Sequence, residues 1–329
     1  IGGVKFVEAG SHTTFTIFSN NVAHARGKND YGQLGGGTRD VIQTYVQVKL
    51  DYIESISSYG NHTFFMGKDD MLYACGSNNH RVLGISAGTT LEPQLVMRKV
   101  WKVETGYNHA ICLTIDHVSF TWGTNTWGQC AQTENVDEVI YPTISSSGID
   151  RENEIAAGKE HCVVLLDNGE VMTWGYNNYG QIGNGTKLKQ YVPYLVEGVS
   201  DIVEIAAGEH HTVALDKDGK VWCWGNNNHG QYGNGTKTTS WTPIVSEISY
   251  SEAQTTAKRF HATTGYEYTV ILTALNIPMI KDSQIIVTYN ADDLEIIDAV
   301  EYTYGNDILP GFAMGSDINI NKIEDGQLI

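Results

Sequence analysis

The chain has 329 residues, with 38 acidic and 21 basic side chains and a formal net charge of −17. That length holds one large domain or two ordinary ones with a sizeable core, and 41% hydrophobic with 10% aromatic residues excludes a disordered composition. No run of about 18 apolar residues exists, so membrane insertion through a helix is not expected.

Lys and Arg are sparse and scattered, the densest spot being Lys187-Leu188-Lys189, which argues against nucleic acid as a partner. Acidity of this kind steers basic partners and keeps a protein soluble. The N-terminal stretch has no signal-peptide pattern, although with Ile1 in place of Met this carries little weight. Cys75, Cys112, Cys130, Cys162 and Cys223 are odd in number and far apart, with no C-x-x-C pair. Buried free thiols in strands are expected, not a disulfide framework or a zinc knuckle.

Self-similarity organises the chain. The first unit carries GKNDYGQLGGGT from Gly27; the second carries GSNNHRVLG from Gly76, with Arg81-Val82 replacing Gly-Gln. The third has the shortened GTNTWGQC from Gly123, the fourth GYNNYGQIGNGT from Gly175, the fifth GNNNHGQYGNGT from Gly225. These glycines lie 49, 47, 52 and 50 residues apart. Pro93, Pro142, Pro193 and Pro243 keep the same phase, and so do His12, His62, His109, His161 and His211, each shortly after a glycine. Three markers with one period set units near 1–50, 51–98, 99–149, 150–198 and 199–247.

Within a unit the pattern is β. In the fifth, Asp201 to Ala207 is an apolar, β-rich run ended by Gly208, and His211 to Leu215 is a second. Asp216-Lys217-Asp218-Gly219 is a hairpin turn, its glycine supplying positive φ. Val221 to Trp224 is the third strand, and Pro243 to Val245 suits an edge, where a missing amide proton is tolerated. Four short strands per unit of about fifty residues predict one propeller blade. The fold expected is all-β: a β-propeller with five clear blades.

A sixth unit opens at residues 248–274 with Gly265-Tyr266-Glu267-Tyr268-Thr269-Val270-Ile271-Leu272 and then drops the markers. Gln284 to Tyr289 and Leu294 to Tyr304 are strand-like and are expected to complete a degenerate sixth blade. Ile308 to Met314 and the terminal Leu328-Ile329 are too apolar for a solvated linker. The segment 275–329 is therefore expected to supply both the blade completion and an attachment arm, with Phe312 and Leu328 as contact residues. A seven-bladed ring is the alternative if the chain is incomplete.

The phased G-x-N-x-x-G-Q-x-G-x-G-T motif, with Trp122-Gly123, Trp174-Gly175 and Trp224-Gly225, resembles the regulator of chromosome condensation repeat family. Ala206-Ala207-Gly208, running on into His211-Thr212-Val213-Ala214-Leu215, is similar to the other half of that repeat. The resemblance covers about residues 1–274. It implies a propeller, usually of seven blades, acting mostly as an interaction platform. Founding members promote nucleotide exchange on a small Ras-like GTPase and dock on chromatin. No basic tail precedes these repeats, so chromatin docking is not expected here. The short Asn-Gly-rich units are similar in style to bacterial and phage-encoded members.

Each candidate site has a plain structural counterpart. The phased histidines could converge on a metal, but one residue per blade is spread around a ring without accompanying carboxylates, so inter-blade hydrogen bonding to backbone is expected. The fourth residue after each motif glycine is Tyr31, His80, Trp127, Tyr179 or His229. These could form a ring of anchors for a protein or glycan partner; the alternative is packing against the next blade. Gly-Gln-x-Gly-x-Gly lacks the G-K-[ST] and the helix of a phosphate loop. Asp292, Asp293, Glu295 and Asp298 lack EF-hand spacing, and no nucleophile sits in a G-x-S-x-G setting. No metal, cofactor or catalytic residue is therefore expected. The sequence points to a non-enzymatic interaction or structural module of a larger assembly (virion, appendage, surface or cytoskeletal). A virion or cell-surface location ranks ahead of a cytoplasmic one, and the alternative function is a guanine-nucleotide exchange factor.

Overall fold

A computed structural model describes residues 3–145 and 151–246, with the dipeptides 287–288, 322–323 and 327–328. The chain divides into two compact units, Ile1–Ile248 and Ser249–Ile329.

The first unit holds five four-stranded antiparallel sheets, each a meander in chain order. Blade one is β1 (Val4–Ala9), β2 (Thr13–Phe18), β3 (Ala23–Gly27) and β4 (Ile42–Gln47). Blade two is β5 (Ser55–Tyr59), β6 (His62–Met66), β7 (Leu72–Gly76) and β8 (Thr90–Met97). Blade three is β9 (Val100–Thr105), β10 (His109–Thr114), β11 (Ser119–Thr124) and β12 (Glu138–Ile144). Blade four is β13 (Glu152–Ala157), β14 (His161–Leu166), β15 (Val171–Gly175) and β16 (Gln190–Leu195). Blade five is β17 (Ile202–Ala207), β18 (His211–Asp216), β19 (Val221–Gly225) and β20 (Ser240–Val245). The architecture is that of a β-propeller.

Local chemistry explains the blades. The four phased prolines all fall in the outermost strands β8, β12, β16 and β20, where one edge has no ladder to supply. Gly219 takes φ 82° in the fifth hairpin, the conformation its turn requires. The core lies between blades. Phe15, Ile17, Phe65 and Cys75 fill the first interface, and Phe64, Leu72, Ala110 and Trp122 the second. Ile111, Cys162, Val164 and Trp174 fill the third, and Val163, Val171, Ala214 and Trp224 the fourth. All five cysteines are free and buried. Four lie in strands as expected; Cys130 instead sits in a Gly-Asn loop, in the slot that holds Leu34, Ile182 or Tyr232 elsewhere.

In the second unit, β21 (Val287–Thr288), β22 (Lys322–Ile323) and β23 (Gln327–Leu328) form a small antiparallel sheet with β23 in the middle. The expected sixth blade, and Phe312 with the rest of the expected arm, otherwise lie outside the described residues. No helix among those residues is long and apolar enough to cross a membrane.

Candidate interaction face

In a four-stranded meander the first-to-second turn and the third-to-fourth loop leave the sheet at the same end. Each blade therefore presents its Gly-His turn and its Gly-Asn loop on one face. A buried asparagine shapes every loop. Asn177 Nδ2 donates to the carbonyls of Thr186 (3.1 Å) and Leu188 (3.0 Å), while its Oδ1 accepts from Ile182 N–H (3.0 Å). Asn29, Asn78, Asn125 and Asn227 make the equivalent bonds. The motif glutamine then holds the aromatic position. Gln33, Gln129, Gln181 and Gln231 accept from the backbone N–H of Tyr31, Trp127, Tyr179 and His229 respectively.

The turns are stitched around the ring. Tyr107 N–H donates to the Lys159 carbonyl (2.9 Å), and Lys159 N–H to the Glu209 carbonyl (3.2 Å). A Cβ on Gly158 would come within 2.6 Å of the Gly208 carbonyl, so only glycine permits this approach. The phased histidines lie just beneath. His62 and His161 are buried and pair with hydroxyls of the following blade, Thr105 (2.6 Å) and Thr212 (3.2 Å). The expectation of a backbone partner is thus corrected for these two: the ring nitrogen pairs with the side-chain hydroxyl of a β-strand threonine. Burial pushes His62 and His161 down to about 3 and His109 to about 4. His12 is exposed. Among the described residues, no group of three or more His, Cys, Asp or Glu is placed to hold a metal ion.

The expected anchors do not all meet. Trp127 and Tyr179 fall within one aromatic cluster: Trp127 packs edge-on against Tyr176 (5.1 Å), and Tyr179 stacks on His210 (4.9 Å, 25°). Tyr176 joins the two pairs, lying 5.7 Å from His210. Tyr59 and Tyr107 meet edge-on at 6.1 Å, and the Tyr59 hydroxyl reaches Glu209 of blade five (3.4 Å). His80 instead faces Glu138 (3.3 Å), Tyr31 is half-buried, and His229 is exposed. Leu328 lies in β23, in the second unit.

Charges surround the cluster. Lys159 Nζ stands 5.6 Å from the Tyr107 ring centroid, and Lys189 Nζ 5.7 Å from that of Trp127. Burial pushes the Glu160 carboxyl up, opposed by the Lys159 charge and the Trp127 indole. Burial, then the Glu209 charge, pushes Tyr59 up to about 12. Sequence reasoning missed Tyr59, Tyr107, Tyr176 and His210. One signal was available for two of them: Tyr107 and His210 occupy the varied positions between a fixed glycine and a fixed histidine.

A repeated four-stranded propeller with this loop chemistry defines a class, and the family model described as RCC1-like domain matches residues 1–276. The chain belongs to that family. It is 30% identical to the human E3 ubiquitin-protein ligase HERC2 over 184 residues, 52% of this chain and 4% of that protein. It is 26% identical to the Arabidopsis thaliana ultraviolet-B receptor UVR8 over 208 residues, 60% of this chain and 47% of that protein. These matches span under half the length of either relative. Among solved structures it is similar to yeast RCC1 (Prp20) bound to Kap60, with TM-score 0.68 and 22% identity, covering 76% of this chain and 62% of that one.

Proposed function

We propose that this chain is a non-enzymatic protein-interaction module within a larger assembly. Its docking face is the end that carries the Gly-His turns and Gly-Asn loops. The observation that carries this reading is the Trp127–Tyr176–His210–Tyr179 cluster. Aromatic rings held by a rigid frame bury large area on binding at low entropic cost. Tyr31, His80 and His229 extend the same face, while Phe312 and Leu328 remain contact residues of the proposed arm. The RCC1-like family supports a binding role, and the yeast relative is described as bound to Kap60. The match to HERC2 takes in 4% of that protein, so its ligase activity lends no support here.

The test is affinity capture from the native source with wild type and a Trp127→Ala/Tyr179→Ala double variant. The reading expects partners that the wild type retains and the folded double variant loses. Equal capture by both would sink it.

A second reading, regulation of a small GTPase, draws on a canine relative named X-linked retinitis pigmentosa GTPase regulator, 29% identical over 260 residues, 60% of this chain and 26% of that protein. Labelled-nucleotide release from Ras-like GTPases separates the two. Acceleration by orders of magnitude would reverse the ranking.

A further inference from the structure

We propose that the aromatic face binds a basic peptide, whose arginine or lysine side chains lie on Tyr107, Trp127 and Tyr179 and pair with Glu160 and Glu209. This rests on the face being an interaction surface, and adds the chemistry of the partner.

Two lysines of the chain itself already show how cations sit there. Lys159 Nζ lies 5.6 Å from the Tyr107 centroid and Lys189 Nζ 5.7 Å from that of Trp127. Both fall within the roughly 6 Å over which the electron-rich ring face attracts a positive charge. Tyr107 is 48% exposed, so its ring can also be reached from solvent.

Carboxylates complete the cradle. Glu209 is held by the Tyr59 hydroxyl at 3.4 Å, and Glu160 sits in the turn beside Lys159. Glu160 follows Lys159, whose backbone N–H donates to the Glu209 carbonyl (3.2 Å), so the two glutamates stand on adjoining turns; Tyr59 feels both charges, Glu209 the more strongly. Lys189 is already matched by Glu134 at 3.7 Å, while the Lys159 charge acts on Glu160. An acidic partner would meet net repulsion at this patch, and a neutral sugar could donate hydroxyls to a carboxylate but would gain no charge attraction. The net charge of −17 adds long-range attraction for a basic partner.

Lys159 makes the proposal sharp, because it is a like charge parked on the ring the ligand would use. A fluorescent peptide of alternating arginine and glycine should bind the wild-type chain in a salt-dependent manner. Lys159→Ala should tighten that binding by about 2–5-fold, Glu209→Gln should weaken it by a similar factor, and Tyr107→Phe should leave it within about twofold. Melting curves check that each variant is folded, and the Lys159→Ala result does not depend on a destabilising truncation. Tighter binding of a glutamate–glycine peptide, or weaker binding by Lys159→Ala, would overturn the proposal in favour of an acidic partner. Preference for a neutral glucose hexasaccharide would overturn it in favour of a glycan. If the arginine peptide does not bind while the Trp127→Ala/Tyr179→Ala variant still loses its captured partner, the interaction reading stands and the basic-peptide assignment falls.

Discussion

The indole nitrogen of Trp224 donates to the backbone carbonyl of Gln181 in the preceding blade, 2.8 Å away. Trp174 makes the same bond to Gln129 (3.0 Å), and Trp122 to Val82 (2.8 Å), the residue in the glutamine slot of blade two. One side chain thus fills the inter-blade core and fixes the angle to its neighbour. Trp224→Ala is expected to destabilise the propeller by about 3–5 kcal/mol, from lost burial and the cavity left behind. Trp224→Phe should cost less, because Thr212 also donates to the Gln181 carbonyl. Urea denaturation of both variants checks the order; equal losses would mean that the lost indole bond, not ring burial, carries the cost.

The loop asparagine gives a second prediction. Asn177→Leu keeps the volume but leaves Ile182 N–H and the Thr186 and Leu188 carbonyls without their partner. A loss of about 2 kcal/mol or more is expected, since each unpaired buried polar group costs about 1–3 kcal/mol. Hydrogen exchange should localise the loosening to residues 176–189.

The repeat makes both positions legible in the sequence. A tryptophan before a glycine and an asparagine two residues after it recur because each blade must solve the same packing problem. Blades one and two depart at the tryptophan slot, with Arg26 and Cys75. Cys75 is buried and directs its thiol at the Gln33 carbonyl (3.6 Å), while Arg26 is exposed. The aromatic cluster was only half legible. Trp127 and Tyr179 stand at a marked position, but Tyr59 meets Glu209 across 150 residues because of ring geometry, which no local pattern encodes.

Stability should also depend on acidity. His62 and His161 stay neutral down to about pH 3 and His109 to about pH 4, whereas unfolded histidine takes its proton near 6.5. Below pH 6.5 the unfolded chain therefore binds more protons, and stability falls with pH by about 1.4 kcal/mol per unit for each histidine. Glu8 and Glu104 act oppositely: burial raises both, so their protonation favours the folded chain as pH falls past their folded values. His161→Gln isolates one contribution. Between pH 6.5 and 5 the wild type should lose about 2 kcal/mol more than the variant. Equal losses would mean that His161 takes a proton in the folded state.

The interaction face itself is tested most directly by lysine cross-linking and mass spectrometry in the native source. Lys159 and Lys189 stand on the proposed face, while Lys99 and Lys217 lie at the opposite end of their blades, paired with Asp116 and Asp201. The account predicts that intermolecular cross-links concentrate on Lys159 and Lys189 and disappear in the Trp127→Ala/Tyr179→Ala variant. Cross-links confined to Lys99 and Lys217 would place the partner on the other face and contradict it.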